Sequence, residues 1–217
     1  MPIHDVLHRL PAGFALPKAP TSVKWTAPDE GRQGEEIEFS WAGETARHVG
    51  TIVHRWLQRI ADDELHTWDA TRIDALASRF AKELERRGIP PRELKASTEQ
   101  VGVALKNAIS DERGRWVLGP HPEARSEHRI RVTGAAGANT YIVDRIFRTA
   151  EDVRWIVDYK TSSHEGADVE AFLEREKERY RAQLERYATA LAAGPSSLGL
   201  YFPLLAGWRE WEHKNRP

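Results

Sequence analysis

Cysteine is absent from this 217-residue chain, and that absence removes disulfides, thiolate-held zinc and iron–sulfur clusters together. Any metal ion must therefore be held by oxygen and nitrogen ligands. Long apolar runs are missing as well: nothing approaches the roughly 20 residues that a transmembrane helix needs. The opening MPIHDVLHRLPAGFALP lacks the charged-then-apolar layout of a secretory signal. The expectation is no membrane partner and a cytoplasmic location. Neither sign of charge is in excess. With a formal net charge of −1 there is no overall basic field, so contact with nucleic acid has to come from a local patch. A G-x-x-x-x-G-K-[ST] phosphate loop is also lacking, which excludes an ATP-driven motor within these residues.

What remains is an ordinary globular composition, 40% hydrophobic and 30% charged, sufficient for one packed domain. Residues 1–40 carry scattered proline and glycine with little periodicity and read as a linker or tail, leaving 41–217 as the domain proper. Over 45–65 the apolar positions Val49, Ile52, Val53, Trp56, Leu57 and Ile60 recur at helical spacing. Two further helices are expected over 69–88, closed by Gly88, and over 92–112. Beyond Pro122 the grammar changes: HRIRVTG, TYIVDRIFRT and RWIVDYKT read as three sequential strands. A long charged helix over 167–194 follows, with Phe172, Leu173, Tyr180, Leu184, Tyr187 and Leu191 on one stripe, and LGLYFPLLAGW supplies one or two more strands. This order predicts an α/β protein with a central mixed sheet flanked by helices and an N-terminal helical region.

Asp144 falls in the second expected strand, Asp158 in the third, and Lys160 two residues later on the same strand face. Adjacent strands can bring Asp144 alongside. Two carboxylates that close repel strongly in a partly buried site unless a cation lies between them, and hard oxygen ligands suit Mg²⁺ or Mn²⁺. The Lys160 ammonium beside them could orient a water or stabilise charge on an attacked phosphodiester. The plainer alternative makes Asp144 with Arg145, and Asp158 with Lys160, strand-end ion pairs. Against it, YIVDRIF and WIVDYK place these charges within apolar strands, where an unpaired charge is costly. His54 flanks the apolar stripe of its helix and, by itself, reads as a packing or surface histidine more readily than as a ligand. His4 and His8 share a helical face but have no third ligand nearby. Arg175, Arg179 and Arg186 line up on the long helix, yet Glu174, Glu176, Glu178 and Glu185 interleave them, the pattern of a solvated, salt-bridged face.

YIVDRIF followed by WIVDYKTSS resembles the central motifs of the RecB-like branch of PD-(D/E)XK nucleases, and GTIVHRWL resembles that family's G-x-x-x-H helix motif. The resemblance spans about 44–204 and implies a restriction-endonuclease-like core. It implies a Mg²⁺- or Mn²⁺-dependent deoxyribonuclease, exonuclease rather than endonuclease, acting on DNA at a single-stranded end. Asp144, Asp158 and Lys160 would be catalytic; His54, Asp144, Asp158 and the backbone carbonyl of Tyr159 would hold the metal. Gly50, four residues before His54, would clear space on that helix face. Gln183 and Tyr187 resemble a Q-x-x-x-Y motif that contacts the DNA strand, although the stripe position of Tyr187 equally suits core packing. Glu127, resembling an acidic position of the first strand, and Thr161 join these two as DNA-binding or supporting residues. The RLPAGFALP and SWAGETARHVGTIVHRWLQRIA stretches resemble the C-terminal region of UvrD-like helicase-nucleases of the exonuclease V type. That likeness implies an ATP-dependent helicase motor as partner, residues 1–40 as a junction with a preceding domain, and a role in DNA repair or recombination. The rival reading is a catalytically weak DNA-binding or subunit-docking domain of the same complex.

Overall fold

The computed structural model describes residues 43–134, 137–162, 168–191 and 196–213; the expected tail over 1–40, with His4 and His8, lies outside the described residues. Helix α1 (Glu44–Asp62) buries Val49, Ile52, Val53, Trp56, Leu57 and Ile60 along one stripe, as its spacing predicts. The single helix expected over 69–88 is two, α2 (Ala70–Ala75) and α3 (Ala77–Glu85), meeting at Leu76. The Asp69 carboxylate caps α2 by accepting the Arg72 N–H at 2.7 Å. Pro91 opens α4 (Pro91–Ser110), where its missing N–H costs nothing. A short helix that periodicity does not announce, α5 (Glu112–Leu118), follows; it starts where Asp111 accepts the Gly114 N–H at 2.8 Å.

The expected strands are β1 (Arg125–Gly134), β2 (Gly137–Arg148) and β3 (Arg154–Tyr159). The long helix α6 (Val169–Ala190) then leads to two strands, β4 (Ser196–Phe202) and β5 (Gly207–His213). They form one sheet in the order β1-β2-β3-β4-β5. β3 and β4 pair in parallel while the other neighbours are antiparallel, so the sheet is mixed and α6 is its crossover. Two apolar layers cover it. Phe147, Val157, Tyr159 and Tyr201 pack under α1 to α5, whereas Ile130, Ile146, Ile156, Leu198, Leu200 and Phe202 pack under α6. β3 is therefore buried on both faces, which is why its sequence reads as a continuous apolar run until Asp158.

One irregularity positions the site. On β2, Tyr141 packs against Tyr187 of α6 and Val143 lies in the same layer, but Arg145 and Phe147 face the helices of the other layer. The strict alternation of strand faces slips at Asp144. Opposite, between the pairs Ser126↔Arg145 and His128↔Val143, Glu127 adopts φ 48°, the left-handed region that non-glycine residues rarely occupy. Both strands turn over at the same rung, and that rung carries two carboxylates.

Candidate active site

Asp144 and Asp158 come together because the β2–β3 ladder ends beside them. Pairing runs from Arg148↔Arg154 to Arg145↔Val157, and the next rung is Asp144 against Asp158. There the strands part, and the Asp144 carboxylate replaces the backbone acceptor by taking the Tyr159 N–H at 2.7 Å. The other oxygen of Asp144 lies 3.4 Å from Nδ1 of His54, delivered by the outward edge of α1. His54 also stands edge-on to the Tyr159 ring, with centroids 5.8 Å apart. Ligand atoms of His54, Glu127 and Asp144 all lie within 4.8 Å of one another.

Electrostatics here is dominated by crowding. Burial opposes the charged form of His54, yet the adjacent Asp144 carboxylate, its hydrogen bond and the charge of Asp158 together raise the imidazole to about 9. Burial likewise resists ionisation of Asp144, but His54, the Tyr159 N–H and Lys160 hold it below the ordinary carboxylate range. Glu127 is pushed up, first by burial and then by the negative charge of Asp144. Two carboxylates and one imidazole around a common point, with Asp158 lining the same cleft and no thiolate, make a donor set that fits a hard divalent cation.

Lys160 is 2% exposed, and its ammonium lies 3.0 Å from Asp158 and 3.8 Å from the centre of the Tyr180 ring. The ion-pair alternative thus describes Asp158 with Lys160, within a cation–π contact. It does not describe Asp144 with Arg145. Arg145 points away into the helical layer, donating to the carbonyls of Val117 at 3.2 Å and Gly119 at 3.0 Å and to Ser126 at 3.2 Å, so it ties the end of α5 to the sheet. The physical reason is the turn-over of β2 at Asp144, which puts neighbouring side chains on unrelated tasks.

Gln183 donates to the Tyr187 hydroxyl at 2.6 Å. Tyr187 is 7% exposed, and burial followed by the charge of Asp158 pushes its phenol up; it is a core residue whose hydroxyl end reaches the site. Gly50 does give clearance, to Thr161: a β-carbon there would sit 2.7 Å from the Thr161 hydroxyl. Of the arginine line on α6, Arg179 pairs with Glu176 at 3.4 Å, and the neighbouring Lys177 pairs with Glu174 at 2.8 Å. A cleft of about 580 Å³ gathers His54, Glu127, Asp144, Asp158, Lys160, Thr161, Gln183 and Tyr187 along its wall, together with Arg47, Arg55, Gln58 and Arg129. Sequence reasoning left out these last four and the Tyr180 platform. Tyr180 could have been found from its spacing of three and seven to Gln183 and Tyr187.

Among the described residues no helix is long and apolar enough to cross a membrane. Comparison with curated proteins gives no match. Among solved structures, one titled "Crystal structure of SSO0001" is similar over 73% of this chain and 74% of that one, at 15% identity and a TM-score of 0.28, too distant to carry an argument. The sequence model of the PD-(D/E)XK nuclease superfamily matches residues 32–209, well over half of the chain and all of the cleft just described. The chain belongs to the PD-(D/E)XK nuclease superfamily.

Proposed function

We propose that this chain is a Mg²⁺- or Mn²⁺-dependent deoxyribonuclease, an exonuclease working at a DNA end as the nuclease part of a helicase-nuclease in DNA repair or recombination. The observation that carries the chemistry is the convergence of His54, Glu127 and Asp144 within 4.8 Å, beside the buried Asp158–Lys160 pair, in one open cleft. His54, Asp144, Asp158 and the Tyr159 carbonyl would hold the metal, with Glu127 as a further carboxylate beside His54 and Asp144. A divalent ion so held polarises a phosphoryl oxygen and lowers the pKa of bound water. Asp144 accepts the Tyr159 N–H, which ties its carboxylate to the strand that carries Asp158. Lys160, fixed by Asp158 and Tyr180, presents its ammonium to negative charge building on the attacked phosphate or to the attacking water. Gln183 and Tyr187, joined by their hydrogen bond, would face the strand beside the scissile phosphate, with Thr161 lining the same cleft.

What supports the motor partner is the likeness of the segments around RLPAGFALP and GTIVHRWLQRIA to helicase-nucleases of the exonuclease V type, together with the lack of a phosphate loop here. On this reading residues 1–40 are a junction segment, 41–217 the nuclease domain, and the protein is cytoplasmic. The experiment compares end-labelled linear DNA with covalently closed single-stranded circles, each with Mn²⁺, Mg²⁺ or chelator. Degradation of linear DNA alone, only with metal, is the expected result. Cutting of the circles would overturn the exonuclease assignment, and no degradation of either would overturn the enzyme.

A further inference from the structure

The acidic centre poses a problem for an anionic substrate. Glu127, Asp144 and Asp158 all line the cleft, the chain as a whole is at −1, and Lys160 is buried in its pair with Asp158. A polyphosphate backbone approaching this point needs cations at the mouth. The cleft provides them on two walls. Arg47, Thr51, Arg55 and Gln58 of α1 recur at spacings of three and four, on the helix edge that also bears His54. Across from them Arg129 projects from β1, next to its strand partner Ile142, which is 40% exposed at the cleft surface.

We infer that Arg47, Arg55 and Arg129 form a phosphate-binding rim that holds one nucleic-acid backbone against α1 while it passes the acidic centre. This rests on the nuclease reading for its substrate class. Arg47 and Arg55 lie eight residues apart, about 12 Å along the helix, with His54 between them. The side chains of Arg47 and Arg55 are well exposed; Glu44 lies 3.5 Å from Arg47 and the largely buried Glu83 3.8 Å from Arg55. Contacts this long from exposed arginines are weak and exchange readily for a polyanion. Glu83 keeps Arg79 at 3.3 Å when Arg55 turns to a phosphate. A single row on one helix with one arginine opposite follows a single strand rather than clamping a duplex, and Ile142 gives a base or sugar an apolar rest.

The test measures binding of a fluorescently labelled single-stranded oligonucleotide by anisotropy across a NaCl series, in EDTA so that nothing is cleaved. The triple variant Arg47→Ala/Arg55→Ala/Arg129→Ala is expected to bind about tenfold more weakly or worse at low salt. Its plot of log affinity against log salt becomes shallower by about 2, at roughly 0.7 per phosphate contact on single strands. The lysine triple variant keeps the slope, and Arg87→Ala, exposed in the turn after α3, behaves as wild type. Should the alanine triple fail to fold, single Arg47→Ala and Arg129→Ala are each expected to lower the slope by about 0.7. Unchanged affinity and slope, or wild-type binding that ignores salt, overturns the rim. Cleavage by wild type is read in parallel. Metal-dependent cleavage with unchanged binding in the triple variant sinks the rim and leaves the nuclease standing; lost binding without any wild-type cleavage does the reverse.

Discussion

Metal-free protein should lose stability as the pH rises from 6.5 to 9, and the loss should belong to the His54–Asp144 pair. The imidazole titrates near 9 in the folded chain against 6.5 unfolded. A group whose folded pKa is raised contributes stability that is complete below its unfolded value and vanishes as pH climbs through the folded one. The difference corresponds to about 3.5 kcal/mol at most, from the conversion of roughly 1.4 kcal/mol per pKa unit, and the partial exposure of His54 (27%) lowers what is realised. Asp144's depressed pKa expresses the same attraction from the other partner, so the two are not added. Urea unfolding of wild type, His54→Ala and Asp144→Asn in EDTA, at intervals from pH 6 to 9.5, is the assay. Wild type should weaken across this window by about 1–3 kcal/mol more than either variant. Added Mn²⁺ should reverse the trend for wild type, because the metal needs the neutral imidazole and its binding releases the proton. Identical pH dependence in wild type and His54→Ala would refute the reasoning.

Two further outcomes follow from the same geometry. Arg145→Met removes the donors to the Val117 and Gly119 carbonyls from a position 2% exposed, so thermal or urea unfolding should show a loss of about 3 kcal/mol or more; a loss under 1 kcal/mol would mean that the α5 tie carries little. Gly50→Ala brings a methyl group to 2.7 Å from the Thr161 hydroxyl, which has to turn away. The helix gains roughly 0.5–1 kcal/mol from replacing glycine, so stability should change little while cleavage falls; unchanged cleavage would show that the Thr161 hydroxyl has no part in it.

Periodicity made α1, β1 to β3 and α6 legible, because each keeps its apolar spacing for long enough to outweigh local composition. The same signal misses α5, whose seven residues hold barely two turns and whose start is marked only by the Asp111 cap. It also runs across Leu76, where the chain breaks into α2 and α3 without a proline or glycine to announce it. The order of strands and helices predicts a mixed sheet, and β3 with β4 is its parallel pair; superfamily membership agrees with the motifs around Asp144 and Asp158. Roles that depend on face were harder to read. Strict alternation would put Arg145 in the layer of Val143, but the turn-over at Asp144 and the left-handed Glu127 send it to α5 instead. The proximity of Glu127 to His54 depends on that backbone conformation, which no residue pattern encodes. The rim arginines on α1 were hidden differently: in the sequence they are ordinary exposed charges, and only the cleft shows what they border.

The most direct test of the central claim is cleavage of end-labelled single-stranded and double-stranded DNA with Mn²⁺ by wild type and by Asp158→Ala, both checked for folding. Asp158 sits 4% exposed with its carboxylate 3.0 Å from Lys160, so on the proposed mechanism its removal should abolish degradation even at excess metal. Metal-dependent degradation by wild type that is lost in the variant is the predicted result; undiminished cleavage by Asp158→Ala would contradict the account at its centre.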